Sequence, residues 1–123
     1  MDNSSGLCPE GWQVPTNAEF TVLYDYLENI DSKVGGQLKE TGTVHWASES
    51  IGTSNSSGFT ALPAGYRNSS NGYYFQITTS TYFWTSTSGS NGRYRYLLAS
   101  NSDLFGPYTI VKTYGFSIRC LED

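Results

Sequence analysis

Histidine occurs once in this chain of 123 residues, cysteine twice and methionine once, and only 15% of the residues are charged. Each scarcity excludes something. A lone His45, with no second His to join it, makes neither a zinc site nor a paired general base, so a packed or surface role is expected for it. No Ser stands in a nucleophile-elbow context and no glycine loop is built to cradle phosphate. The carboxylate pairs Glu28/Asp31 and Glu122/Asp123 read as solvated charge. Catalysis is therefore not expected, and no cofactor is implied. Seven basic residues without a cluster, under a net charge of −4, argue against nucleic acid as a partner. No apolar run is long enough to span a bilayer, and Met1–Gly6 lacks a signal-type apolar stretch. Residues 1–6 are expected to be a linker or an artificial start, and 7–123 one domain.

What is abundant is aromatic and small: 10 Tyr, 6 Phe, 3 Trp and 13 Gly. Apolar residues make up 37%, enough for a folded core. Tyr, Ser, Gly and Asn together give the composition of an adaptable binding surface, although a Gly- and aromatic-rich β protein would show the same bias. Cys8 and Cys120 lie near opposite ends. They are either two buried thiols or one disulfide, and chain ends that are neighbours in space would favour the bond.

In chain order, Thr16-Asn17-Ala18-Glu19 is a capping box. Phe20, Leu23, Tyr24, Leu27 and Ile30 then recur at helical spacing, which predicts a helix from Asn17 to Ile30 that covers a sheet. A weaker helix is expected within 31–40, interrupted by Gly35-Gly36, followed by loop from Thr41 to Ser57. Strands are expected at Gly58–Pro63, from Gly65, at Tyr73–Ile77, Tyr82–Thr87, Arg93–Leu98 and Gly115–Leu121. In the last of these Phe116, Ile118 and Cys120 alternate with polar residues, the pattern of a half-buried strand.

Between the last two strands, Leu98 to Val111 follows no period, as if no core dictated it. It also contains no Lys, Glu, Gln, Met or Trp, the five residues that a codon ending in a pyrimidine cannot encode. These make up about a fifth of ordinary sequence, so a gap of this length points to adenine-directed diversification of Asn-type codons. An ordinary polar loop of limited composition is the alternative.

Five stretches taken in order carry a resemblance: Cys8–Thr16, Gly35–Lys39, Gly58–Arg67, Phe83–Thr87 and Gly115–Cys120. From about Leu7 to Asp123 the chain resembles the Fibrobacter succinogenes major paralogous domain family, common in surface and secreted proteins of Bacteroidetes and Fibrobacteres. The resemblance implies an α+β, C-type-lectin-like fold. One or two helices would pack on small antiparallel sheets, with the N- and C-terminal strands adjacent. It also implies an extracytoplasmic binding module: secreted, at the cell surface (as a lipoprotein, for instance) or on a phage particle. The Glu-Pro-Asn, Gln-Pro-Asp and Trp-Asn-Asp triplets of calcium-dependent lectins are missing, so no metal is expected.

The first functional expectation is a fixed scaffold with a C-terminal variable surface at about 93–111, as in variable proteins of diversity-generating retroelements. Tyr94, Tyr96, Leu98, Ala99, Ser100, Asn101, Asp103, Phe105, Pro107, Tyr108, Thr109, Ile110 and Val111 would face a macromolecular ligand, protein or glycan, on a cell or phage surface. The second is a polysaccharide module of fixed specificity that stacks sugars on Trp46, Tyr73, Tyr74 or Trp84. A structural envelope or pilus component fits the same composition.

Overall fold

A computed structural model describes residues 6–123, so all of the expected linker except Gly6 lies outside the described residues. The architecture is α+β. The first strand, β1 (Trp12–Gln13), leads into helix α1 over Asn17–Ile30, the span its periodicity predicts. Thr16 Oγ1 accepts from the Glu19 amide at 3.0 Å, and Glu19 Oε1 accepts from the Thr16 amide at 2.9 Å. This reciprocal pair satisfies donors that the start of a helix leaves open. Phe20 and Leu27 enter the core and Leu23 and Tyr24 pack against it, whereas Ile30 overshoots it and is exposed.

The weaker helix shortens to α2 (Val34–Leu38), every residue of which is buried. Its glycines are required by what crosses it. A Cβ on Gly35 would lie 2.3 Å from the Asp103 carbonyl oxygen, and one on Gly36 2.5 Å from that of Gly52. Gln37, equally buried, donates from Nε2 to the carbonyls of Leu27 (2.8 Å) and Asp31 (3.1 Å), capping the end of α1 from the side.

Two-residue strands β2 (Tyr66–Arg67) and β3 (Tyr74–Phe75) form a small hairpin. Three strands make the main antiparallel sheet, in the order β4 (Ser80–Ser88), β5 (Gly92–Leu98), β6 (Phe105–Ile110). The last strand, β7 (Leu121–Glu122), returns to β1 with Trp12 opposite Glu122. A Cys8–Cys120 disulfide, with Cα atoms 5.9 Å apart, fastens the same two ends. The core holds Phe20 and Leu27 of α1, Val34 and Leu38 of α2, Trp46, Ala61, Phe83, Leu97, Ala99 and Leu104.

Three expectations are corrected. Gly58–Pro63 is not a strand; it makes one isolated bridge, Ala61 to Lys39. Gly115–Leu121 is not one continuous strand either. Gly115 bonds to Arg67 while Ser117 bonds to Tyr82 and Trp84, so the segment crosses other strands instead of running along one. Lastly, the aperiodic stretch is not free of the core, because Ala99 and Leu104 are both buried and 105–110 is a strand.

The loss of period in β6 has a local cause. Tyr94 lies opposite Tyr108, yet Tyr96 lies opposite Phe105, so β6 carries one residue more than its partner between those pairs. Such a bulge swings the next side chains to the other face. Gly106 makes it possible: its φ is +110°, and a Cβ there would lie 2.7 Å from the Tyr94 carbonyl oxygen.

Candidate ligand-binding face

The two faces of the β4–β5–β6 sheet divide the aromatic residues. Thr81, Phe83, Thr85, Arg95 and Leu97 turn inward and are buried. On the other face Tyr82 pairs with Tyr96, Trp84 with Tyr94, Tyr94 with Tyr108 and Tyr96 with Phe105. The bulge is what brings Phe105 and Tyr108, three residues apart, to this same face.

These rings stack on one another. Tyr96 and Phe105 lie 4.8 Å apart and 11° from parallel, and Tyr82 and Tyr96 lie 5.1 Å apart at 28°. Phe116 closes over Tyr82 at 5.1 Å and over Trp84 at 4.5 Å. Tyr66 joins the group through Tyr82 (5.3 Å, edge-on), and Phe75 through Tyr66. Rings standing side by side cover each other's faces, and Tyr82, Tyr94, Tyr96 and Phe105 stay partly exposed while Tyr108 is exposed. Burial, then the neighbouring tyrosines, raises the pKa of Tyr82, Tyr94 and Tyr96 above that of a free phenol. Their hydroxyls stay neutral donors at any physiological pH. Tyr82 spends its own on Gln76 Oε1 at 3.2 Å.

Two hollows open between the rings. One, of about 170 Å³, is walled by Tyr66, Tyr82, Tyr94, Ile110, Tyr114 and Phe116. The other, of about 290 Å³, shares Tyr66 and Phe116 and continues past Gly115 to Arg67 and Tyr74.

The expected ligand residues separate into two groups. Tyr94, Tyr96, Phe105, Tyr108 and Ile110 belong to the aromatic face or its rim; Leu98 is half-buried at the end of β5, and Pro107, Thr109 and Val111 are exposed on or just after the edge strand. Ser100, Asn101 and Asp103 are instead exposed in the β5–β6 loop, in an open hollow with Lys33, Glu49 and Ile51. Ala99 cannot face a ligand: it is 5% exposed and packs in the core. Nor can Trp46 or Trp84 stack a sugar, being 2% and 4% exposed, with Trp46 Nε1 donating to the Ala61 carbonyl at 3.0 Å. Tyr73 and Tyr74 do stand free, at 69% and 67%. Tyr66, Phe75, Tyr82, Tyr114 and Phe116 escaped the sequence reading as members of this face. The spacing Tyr82-x-Trp84, Tyr94-x-Tyr96 and Tyr114-x-Phe116 marks Tyr82, Tyr114 and Phe116 as one-faced aromatic pairs, whereas Tyr66 and Phe75 carry no such signal.

The β5–β6 loop is held by an internal cation. Lys39, 2% exposed, donates from Nζ to Ser50 Oγ (2.7 Å), the Leu98 carbonyl (2.7 Å) and the Asn101 carbonyl (2.8 Å), and lies 5.5 Å from the centre of the Trp46 ring. Elsewhere, His45 is exposed and pairs with Glu40 at 2.8 Å. Among the described residues no group of three or more His, Cys, Asp or Glu gathers as metal ligands, and no helix is long and apolar enough to cross a membrane.

The buried Gly-Gly-Gln-Leu-Lys run, with its crossing backbones and its two polar staples, gives structural reasons for one of the stretches that carried the resemblance. The model of the Fibrobacter succinogenes major domain matches residues 1–122. The chain belongs to that family. No curated protein and no solved structure matches it significantly. In this member of the Fibrobacter succinogenes major domain family, the main core lies on one side of the sheet, and Tyr82, Tyr94, Tyr96 and Tyr108 stand on the other around the buried Trp84.

Proposed function

We propose that this is a non-catalytic ligand-binding domain of an extracytoplasmic protein, with a C-type-lectin-like scaffold that presents the outer face of β4–β6 to a macromolecular ligand. One observation carries the reading: a contiguous set of tyrosines packs on the sheet away from the core, with Tyr94 and Tyr96 partly exposed and Tyr108 exposed. Tyrosine supplies rigid contact area at low entropic cost, and the Ser, Asn and Asp side chains of the adjoining loop supply adaptable hydrogen bonds. The disulfide suits an oxidising compartment.

The same layout is compatible with diversification. Ser100, Asn101, Asp103, Pro107, Tyr108, Thr109 and Val111 are exposed, so varying them leaves the core alone. Ala99 and Leu104 would have to stay constant. The test is genomic and biochemical. A near-copy of the coding segment for 93–120, beside a reverse-transcriptase gene and differing only at adenines, is the expected finding if the face is a variable one. Binding of the labelled domain to intact bacterial surfaces should be lost when Tyr94, Tyr96 and Tyr108 are replaced by Ser in a variant that still folds. Unchanged binding would remove the face from the function. A second reading, a polysaccharide module of fixed specificity, is favoured by the freely exposed Tyr73 and Tyr74 on the β2–β3 hairpin. It predicts that Tyr73→Ala and Tyr74→Ala abolish binding while the Tyr94, Tyr96 and Tyr108 changes do not.

A further inference from the structure

The charges of this acidic protein are divided along the chain. Between Ser50 and Leu121 the sequence holds Arg67, Arg93, Arg95, Lys112 and Arg119 but a single acid, Asp103. Every other Asp and Glu lies before Ser50 or in the last two residues. Apart from the strands at the chain ends, all the sheet structure falls in this basic part. The only ion pair among the described residues, His45 with Glu40, is outside it, so none of the described carboxylates pairs with the exposed Arg67, Arg93 or Lys112. Arg67 forms part of the second hollow, its guanidinium against Gly72 and its stem against Gly115.

Taking the proposed face as the binding surface, we infer that its ligand is an acidic protein segment whose Asp and Glu side chains enter the two joined hollows, against the tyrosine edges and Arg67. Three features favour this. An aromatic edge is the positive part of the ring's quadrupole, and hydroxyl donors beside it select anionic acceptors. Sugar stacking needs open ring faces, and Tyr82 is stacked between Tyr96 and Phe116, and Tyr96 between Tyr82 and Phe105. Finally, Tyr and Arg are among the residues enriched at the energetic centres of protein–protein interfaces. Arg67 is the one charged residue among those that line the two hollows, so no acid there repels such a segment.

The experiment uses the whole chain and fluorescein-labelled poly-L-glutamate, followed by anisotropy, with polygalacturonate, poly-L-lysine and cellohexaose as comparators. Poly-L-glutamate should bind, with affinity falling about tenfold or more between about 20 and about 200 mM NaCl. Arg67→Glu should weaken it by about tenfold or more, since the change replaces attraction by repulsion. Tyr94→Phe keeps the ring and the fold, and should weaken binding by removing the hydroxyl alone. His45→Ala, outside the hollows, should change nothing. Tighter binding of polygalacturonate would assign the face to an acidic glycan and overturn the inference. So would equal binding of cellohexaose, indifference to Arg67→Glu and Tyr94→Phe, or no binding of poly-L-glutamate at all. If poly-L-glutamate fails while the Tyr94, Tyr96 and Tyr108 variant still loses surface binding, the ligand class falls and the face stands. If that variant binds normally too, both fall.

Discussion

Replacing Lys39 by Met tests whether an internal ammonium holds the β5–β6 loop in place. Burial is the larger influence on this side chain; it lowers the pKa to about 8, with Glu49 pulling weakly the other way. At neutral pH the group is still an ammonium, and its three donors meet three acceptors. Methionine has similar length and fills the space beside Trp46, so the change isolates the polar contacts from packing. Two carbonyls and a hydroxyl lose a charged donor, at about 1–3 kcal/mol for each buried group left unsatisfied. Against this, removing a buried charge relieves a desolvation cost, and such swaps have stabilised other proteins. The carbonyls of Leu98 and Asn101 cannot be swapped away with it, so loss should win by about 2–4 kcal/mol. With an m-value of about 1–3 kcal/mol/M, the urea midpoint should fall by about 1–2 M at unchanged m. Amide exchange in 98–104 should quicken first, because that loop loses its tether. A midpoint equal to or above that of the unmodified protein would show that desolvation dominates and that the loop holds itself.

Substituting Ser100, Asp103, Thr109 and Val111 by Asn or Ser should cost less than about 0.5 kcal/mol each, whereas Phe83→Ala or Trp84→Ala should cost about 3–5 kcal/mol; denaturant midpoints read both. Reducing the disulfide, whose cysteines are 112 residues apart, should cost about 4–5 kcal/mol in the chain-entropy model, measured as the midpoint difference with and without reductant. Gly92→Ala would put a Cβ 2.4 Å from the Trp84 ring, so about 1–3 kcal/mol and a changed near-ultraviolet signal of that indole are expected. Alkali should act in two directions. Between about 8 and its ordinary 10.5, Lys39 is neutral in the folded chain and charged in the unfolded one, so its contribution to stability rises with pH. Tyr82, Tyr94 and Tyr96 stabilise the fold below the ordinary tyrosine pKa of 10.0 and cease to as pH climbs through their raised values. A melting temperature that only declines from neutral pH upward would contradict the lysine assignment.

Helix α1 was legible because every local signal agreed: the capping box, the 3.6-residue period and the absence of internal Gly or Pro. The strands β4 and β5 were legible for a similar reason. Strand β6 was not, because a reading by period two assumes an unbroken ladder and Gly106 inserts one residue into it. Gly115–Cys120 erred the other way, since alternation can mark a segment that touches two strands in turn. The aromatic face lay only half in view. Tyr94 and Tyr96 could be found by their position before the aperiodic stretch, but Tyr66, Tyr82 and Phe116 come from three other segments; alternation marks the last two as aromatic pairs, and only tertiary structure brings all three to one face.

The distribution of side chains between inside and outside supports a binding role more directly than composition does. Lys39, Gln37 and Arg95 are buried at 2–4% exposure, where an apolar residue would avoid any desolvation cost. Arg95 is met by Asn17 Oδ1 at 3.2 Å and Thr21 Oγ1 at 2.9 Å, with no carboxylate in ion-pair reach, and its Nε has no hydrogen-bond partner. On the opposite face of the same strand, Tyr94 and Tyr96, which could have filled a core, stand half-exposed. A sheet optimised for stability alone would reverse this order, placing the rings against α1 and the cation in water. The polar staples tie α1, α2 and the β5–β6 loop to the inner side without using aromatic side chains. The outer side is thereby left to carry half-exposed tyrosines around the buried Trp84, and the ligand contact proposed above would account for keeping them there.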